Sequence, residues 1–308
     1  MAVNVDRSLT RSRRTAQHEE DGPPTATRRP PTWRARRRSR RLLGLVVDMV
    51  IALYALAPIL WGLSTSFKPA QDVLAYPPQL LPSQPTLDHY TLLFRTGIHR
   101  FLLNSAAVSV MTLVLCIVIG SLAAYALARL NFRGRSTLMF TTVALMSIPL
   151  PSVLVPTFML LANIQLTNSL VGLSLLYTAY QLPIVVWMLY GYFNSLPVEL
   201  ERAAMIDGCS RLQTLRKVVL PLSGPGLIAA GLFVLTFAWN DFVVAVVMIS
   251  SDAAKTLPVA IYGYLGFYGR DWGPLTASAM LSIIPVILVF IGFQRYFLSG
   301  MTGGGVKG

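Results

Sequence analysis

Few side chains of this sequence are suited to covalent chemistry, and their spacing excludes the common kinds. The two cysteines, Cys116 and Cys209, and the three histidines do not form a metal-ligand cluster, and we expect both thiols to be reduced. No Ser/His/Asp or Cys/His arrangement suggests a nucleophile with its base. No Gly-x-x-x-x-Gly-Lys-Ser/Thr loop is present to cradle a nucleotide phosphate. The sequence therefore predicts no catalysis, no ATP hydrolysis, no metal site and no cofactor held by this chain.

A second set of side chains is suited to non-covalent binding. Aromatic residues, amides and one carboxylate lie in two apolar segments: Tyr177, Tyr180 and Gln181 in the first, and Trp239, Asn240 and Asp241 in the second. Aromatic faces combined with amides and a carboxylate are suited to bind the hydroxyl groups of a sugar. The alternative is that Asn240 and Asp241 bond neighbouring helices of a bundle and that Trp239 serves only packing.

The composition indicates that these segments lie in a membrane. Of the 308 residues 54% are hydrophobic and only 13% are charged, yet the formal net charge is +13. A soluble domain has about 25% charged residues, and a disordered protein has far fewer apolar ones. We therefore expect a polytopic membrane protein whose positive charge lies outside the bilayer.

Six stretches are long enough, at about 1.5 Å per residue, to cross a hydrocarbon core of about 30 Å. They are Leu42–Ser66, Leu102–Ala128, Leu138–Leu161, Leu170–Tyr192, Gly226–Ile249 and Leu275–Leu298. Prolines inside these stretches kink a membrane helix without excluding it. The predicted fold class is all-α, with six transmembrane helices in a permease domain that covers residues 42–308.

The basic residues predict the orientation. Twelve of the 26 Lys and Arg residues lie in residues 1–41, a proline-containing segment that we expect to be a disordered tail. Counted over all connections, 21 basic residues fall on the side of the N-terminus and five on the other, which places both termini in the cytoplasm. A basic arm can bind nucleic acid, but beside an apolar helix it is more typical of a topology anchor near anionic lipid. No nucleic-acid partner is expected.

The connection at about 194–222, between the fourth and fifth spans, predicts two short cytoplasmic helices. Pro197 suits the first turn of a helix that runs to about Ile206. Gly208 permits a left-handed turn, and Ser210 with Gln213 forms a capping box that begins the second helix. We expect Pro221 to end that helix.

This connection resembles the EAA loop of binding-protein-dependent ABC importer permeases. The matching residues are Glu201-x-Ala203-Ala204-x-x-Asp207-Gly208 and, later, Leu220-Pro221-Leu222. Arg202 and Cys209 depart from the family pattern, where alanine is common. Ser66-Phe67-Lys68-Pro69, the segment Phe237–Phe242 and the C-terminal end from Gln294 resemble the carbohydrate (MalG-like) subfamily, so that the likeness covers about residues 40–308.

The resemblance implies a permease subunit in the plasma membrane that imports a sugar or oligosaccharide by alternating access. Its implied partners are a second, homologous permease, two ABC ATPase subunits that bind the ATP, and an extracytoplasmic solute-binding protein. The helix at 197–206 would be the coupling helix, with Glu201 in polar contact with an ATPase subunit and Ala203 and Ala204 packed closely against it. Asp207 and Gly208 would fix the turn.

Three alternatives differ in chemistry. A sister permease would carry another polyol, such as glycerol 3-phosphate, although the spans lack a cationic cluster for its phosphate. A gradient-driven secondary transporter would need an ion site inside the membrane, and Asp241 is nearly the only candidate. A membrane-embedded enzyme would need a catalytic set that the sequence lacks.

Overall fold

The computed structural model describes residues 32–265 and 271–303, with side chains described for 44–265 and 271–294. Every regular element in these residues is helical. The chain divides into two compact units, Met1–Ala55 and Leu56–Gly308. The described part of the first unit is the beginning of the first helix, and the second unit carries the candidate site.

Helix α1 (Thr32–Ser66) begins within the segment expected to be a basic tail and includes its last ten residues, 32–41. Arginine has a high helix propensity, so an arginine-rich segment can continue an apolar helix outward from its end. The rest of the expected tail, residues 1–31, lies outside the described residues.

The remaining helices follow in chain order. They are α2 (Asp88–Arg95), α3 (Ile98–Arg129), α4 (Arg135–Leu145), α5 (Leu150–Asn163), α6 (Leu170–Ser195), α7 (Val198–Ile206), α8 (Arg211–Thr214), α9 (Leu220–Leu222), α10 (Gly224–Asn240), α11 (Val243–Met248), α12 (Leu257–Tyr262) and α13 (Trp272–Gly303). Four segments of the described chain are long and apolar enough to cross a membrane: Gly44–Ser66, α3, α6 and the part of α13 up to Gln294. Two bent pairs raise the number to six if each is one span.

The predicted span Leu138–Leu161 is one of these bent pairs. Helices α4 and α5 meet at an angle of 102°, so a single continuous helix is not what this segment forms. Pro149 lies at the break and Pro151 in the first turn of α5, where prolines remove N–H donors and restrict the preceding residue. No side chain of α4 is buried, and in α5 only Leu154 and Leu161 are.

The predicted span Gly226–Ile249 is also interrupted. Helix α10 ends at Asn240, and α11 begins at Val243 after a break that contains Asp241 in an extended conformation. The backbone N–H groups of Val244 and Ala245 donate to Oδ2 of Asp241, both at 3.1 Å. The carboxylate therefore satisfies the first donors of α11, as a capping residue does, and Asp241 does not lie on a continuous helix with Trp239 as expected.

Close packing of α3 on α6 forms the centre of the second unit. Gly120 of α3 lies so near α6 that a Cβ atom there would come within 2.7 Å of Cγ1 of Val185. Small residues allow such close approach of helices where water provides no driving force between them. Buried side chains from α10, among them Ala230 and Val234, complete this core.

The N-terminal part of α3 is hydrogen-bonded to the loop between α11 and α12. Arg129 is at the opposite, C-terminal end of α3. The amide of Asn104 donates to the carbonyl oxygens of Ala253 and Lys255 at 3.0 and 2.9 Å. Asn104 and Arg129 are separated by 25 residues of helix, which is about 38 Å. The loop and the EAA-like connection therefore lie at opposite ends of α3.

Candidate functional site

The connection between α6 and α10 folds as the two short helices that its sequence predicts. Helix α7 ends at Ile206, and Gly208 has a φ of +88°, in the left-handed region. The Gly208 N–H donates to Met205 O at 3.1 Å, and the Cys209 N–H donates to Ala204 O at 3.0 Å. These two bonds are the pair that defines a Schellman motif, so Gly208 is required by its backbone conformation.

The second helix begins at the predicted capping box. Ser210 Oγ accepts from the Gln213 N–H at 3.3 Å, and Gln213 Oε1 accepts from the Ser210 N–H at 2.8 Å. Asp207 lies exposed at the C-terminal cap of α7, next to Gly208. Two local motifs therefore set the angle between α7 and α8.

The second helix extends to Leu222, one residue beyond the end that Pro221 predicts. A π-helical turn, Leu215–Val219, follows α8, and the Leu220 N–H donates to Leu215 O. Pro221 then lies inside α9, which continues to Leu222, and the chain bends by 82° before α10. The wider turn shifts the hydrogen-bond register just before a residue without an N–H donor, which lets the helix pass through the proline.

Glu201 is held inside the protein by Arg129, which lies outside the EAA-like motif. Its Oε1 accepts from Nε of Arg129 at 2.6 Å, and the two side chains are 4% and 10% exposed. Nη2 of Arg129 also donates to the carbonyl oxygens of Phe193 and Leu196 at 2.7 and 3.2 Å. The carboxylate thus faces the ends of α3 and α6; the expected polar contact with an ATPase subunit stays a prediction. A charged residue directly after the apolar run of α3 is the signal that marks Arg129 in the sequence.

The outer side of the loop presents apolar side chains. Ile206 is 85% exposed and Leu212 is 65% exposed, and Leu200 and Met205 are also exposed. Ala203 is exposed and Ala204 half-buried. Exposed apolar groups on two adjoining short helices are typical of a surface that a partner covers.

Two of the six candidate binding residues bond each other. The Tyr177 hydroxyl, fully buried, donates to Oδ2 of Asp241 at 2.7 Å. The Tyr177 ring also packs edge-on against Phe237. Together with the N–H groups of α11, these contacts use Oδ2 of Asp241 within the protein.

Two further candidates bond their neighbours. The Tyr180 hydroxyl lies 3.1 Å from Oγ1 of Thr157, and Nε1 of Trp239 donates to Ser282 O at 3.1 Å. Trp239 also lines an apolar cavity of about 370 Å³ between α6, α10 and α13. Both side chains act here as links between helices.

The two amides differ from the other four. Gln181 is buried, and its Nε2 has no hydrogen-bond partner among the described residues. Asn240 is exposed, and its Nδ2 donates to Thr236 O at 2.8 Å. Both amides have hydrogen-bonding capacity left for a solute.

Comparison with known proteins identifies the same family that the sequence of the EAA-like loop resembles. Residues 116–303 match the family described as binding-protein-dependent transport system inner membrane component. The chain is 38% identical to the sulfoquinovosyl glycerol transport system permease protein SmoH of Agrobacterium fabrum, over 88% of this chain and 95% of that protein. It is 37% identical to the trehalose transport system permease protein SugB of Mycobacterium tuberculosis, over 85% and 96%.

Its fold is similar to that of a solved structure. The crystal structure of a bacterial ABC transporter involved in the import of the acidic polysaccharide alginate contains a chain with a TM-score of 0.73 to this one. That likeness covers 87% of this chain and 100% of the other, at 24% sequence identity. The overall fold of this chain is therefore similar to that of a chain in an ABC transporter.

Proposed function

The chain belongs to the family of binding-protein-dependent transport system inner membrane components, and we propose that it carries a sugar or an oligosaccharide across the plasma membrane. It is a multi-pass permease of the inner membrane. The assignment to carbohydrates is supported by relatives at 37–38% identity that are named for the transport of trehalose and of sulfoquinovosyl glycerol. Both relatives match over nearly the whole transport fold.

The proposed complex contains this chain, a second and homologous permease, two ABC ATPase subunits and an extracytoplasmic solute-binding protein. ATP would bind to the ATPase subunits, and this chain would supply no cofactor site. The ATPase subunits would push the coupling helices of both permeases together on binding ATP. The spans would then alternate between inward-facing and outward-facing states, and the lipid bilayer surrounds them.

The observation that carries this proposal is the loop of α7 and α8. It combines a left-handed glycine turn, a capping box and an exposed apolar surface in one connection. We assign the partner contact to Ala203 and to the exposed side chains of Met205 and Ile206. Asp207 and Gly208 fix the turn, and the inward-facing Glu201 anchors α7.

We assign Pro221 to the same coupling loop. Because the π-helical turn and the bend of 82° lie on either side of it, Pro221 would set the direction in which a push on α8 reaches α10. A helix with an altered hydrogen-bond register is a common place for such adjustment.

For the solute pathway we propose direct contacts by Gln181 and Asn240. The unpartnered Nε2 of Gln181 supports its role, because a buried amide without a partner needs a water or a ligand group. Asn240 supports it by its exposed position at the end of α10. Tyr177, Tyr180, Trp239 and Asp241 would hold α6, α10 and α11 in place around the pathway.

The orientation is proposed from charge and from the ATPase contact together. ATP is cytoplasmic, so a coupling loop at α7 and α8 must face the cytoplasm. With six spans this places both termini in the cytoplasm, in agreement with the 21 basic residues on that side. Residues 1–41 would lie there as a basic segment near anionic lipid, outside the permease domain of residues 42–308.

Reconstitution tests the proposal. The chain is placed in proteoliposomes with its second permease, ATPase subunits and binding protein, and uptake of labelled sugars is measured with and without ATP. Gly208→Pro and Glu201→Lys should abolish uptake while both proteins remain in the membrane. ATP-independent uptake driven by an ion gradient, or uptake of glycerol 3-phosphate alone, would contradict the carbohydrate importer.

A further inference from the structure

One guanidinium group joins three segments at the end of the bundle that carries the loop. We propose that Arg129 is the positioning residue that makes α7 move together with the ends of α3 and α6. This inference rests on the proposed function, because it concerns how motion of the coupling helix reaches the spans. It adds a residue outside the EAA-like motif to the coupling machinery.

The geometry of the contacts is that of a tie between separate elements. Arg129 is the last residue of α3, Glu201 lies in α7, and Phe193 and Leu196 lie in and directly after the last turn of α6. Nε is used for the carboxylate, and Nη2 for the two carbonyl oxygens. The planar fork of arginine can serve several acceptors at once, which the single ammonium of lysine does less well.

The acceptors on α6 favour a cation at this position. The last carbonyl groups of a helix lack partners within the helix and carry the negative end of its dipole. Phe193 O lies in the last turn of α6, where it also accepts from the Leu196 N–H at 3.2 Å, and Leu196 O follows at the C-terminal cap. Arg129 donates to both oxygens. The guanidinium is therefore fixed to α6 independently of Glu201, so it can hold α7 against a surface that is already rigid.

Burial makes the tie stiff. Because the two side chains are only 10% and 4% exposed, water and salt screen the pair far less than they screen a surface ion pair. Helices α3 and α6 are in turn packed closely through Gly120 and Val185. A displacement of α7 is thus applied to two packed spans at once, whereas the chain connection through Pro197 reaches α6 alone.

The test uses the full reconstituted transporter and measures uptake and ATP hydrolysis in parallel. Arg129→Gln should lower the sugar transported per ATP hydrolysed by about tenfold, within the range that residues along a coupling route produce. Arg129→Lys, which keeps the charge, should lie between this variant and the wild type. Arg133→Gln is the matched control, because Arg133 is an exposed arginine in the connection between α3 and α4, four residues after Arg129, and should have no effect.

A double variant distinguishes two roles of Arg129: linking α7 to α3 and α6, and neutralising the buried charge of Glu201. Arg129→Gln alone leaves the buried Glu201 carboxylate without its partner, which should lower protein yield. Combining it with Glu201→Gln removes both charges, so the yield should rise again while transport per ATP stays low. Recovery of wild-type transport per ATP in this double variant would overturn the inference. Equal values for Arg129→Gln and Arg133→Gln would overturn it as well.

Hydrogen exchange gives a readout that does not depend on transport. Amide protons of residues 198–206 should exchange faster in Arg129→Gln than in the wild type or in Arg133→Gln. Unchanged exchange there would show that α7 is held by other contacts and would overturn the inference. If the wild type itself shows no ATP-driven uptake, the proposed function fails; if only the Arg129 variants behave as wild type, the inference alone fails.

Discussion

The Tyr177 hydroxyl donates a hydrogen bond of 2.7 Å to Oδ2 of Asp241, across 64 residues of sequence. The bond joins α6 to the break between α10 and α11, and the same oxygen accepts from two N–H groups of α11. One carboxylate therefore fixes both the position of the break and the start of the next helix. This relationship explains why an acidic residue lies within an otherwise apolar segment.

Tyr177→Phe should destabilise the conformation of the break between α10 and α11 without changing the apparent affinity for the solute. Loss of a hydrogen bond to a charged group costs about 1.5–3 kcal/mol, so thermal unfolding in detergent should occur at a lower temperature. Tyr180→Phe is the control, because its hydroxyl is paired with the neutral hydroxyl of Thr157 at 3.1 Å, and its effect should be smaller. A large change in the apparent KM for uptake in Tyr177→Phe would instead place its hydroxyl in the solute pathway.

Gly208→Ala should reduce uptake through the backbone alone. The Cβ atom would meet no atom within 4 Å among the described residues, but a φ of +88° costs an L-residue about 1–2 kcal/mol. Gly134→Ala is a matched control, since Gly134 has a φ of +90° and equally open surroundings in another connection. We expect uptake per ATP to fall for Gly208→Ala and to remain for Gly134→Ala. Equal losses in both would mean that general strain, and not the turn of the loop, is responsible.

Ile206→Asp should prevent association with the ATPase subunits while leaving the permease folded. The side chain is 85% exposed, so the substitution buries no charge in the free chain, but a carboxylate in a covered apolar contact is costly. Co-purification of tagged ATPase subunits measures the effect. Ile164→Asp, at an exposed position before α6, serves as the comparison and should retain them. Normal co-purification with Ile206→Asp would remove this residue from the contact.

Asn168→Ala should loosen the loop between α11 and α12. Its Oδ1 accepts from the Ser250 N–H at 2.6 Å, the Ser250 hydroxyl at 3.0 Å and the Ser251 N–H at 2.9 Å. Each lost bond costs about 1 kcal/mol, so hydrogen exchange of residues 249–253 should be faster. Asn168→Asp keeps the acceptor and should restore protection; if it exchanges as fast as Asn168→Ala, the three bonds do not hold the loop.

The parts of the loop that the sequence predicts are those with local causes. The end of α7, the turn at Gly208 and the capping box of Ser210 and Gln213 each depend on residues within about four positions of one another. The π-helical turn before Pro221 is also local, but a proline in sequence is read more readily as an end than as a residue that a helix can pass.

Contacts between distant residues are the part that the sequence alone leaves open. Arg129 and Glu201 are 72 positions apart, and only the packing of α3 on α6 brings them together. The same is true of Tyr177 and Asp241. Hydropathy detects the apolar run around Asp241 but contains no information about a break that a side chain from another helix stabilises.

The bent pair of α4 and α5 has a consequence for biogenesis. With only Leu154 and Leu161 buried, these 25 residues gain little free energy from contacts within their own chain. Their conformation must be stabilised by the environment of the assembled complex or by lipid. An orphan copy, synthesised without its partner subunits, should therefore be a substrate for membrane quality-control proteases, and its cellular half-life should lengthen when the second permease is co-expressed.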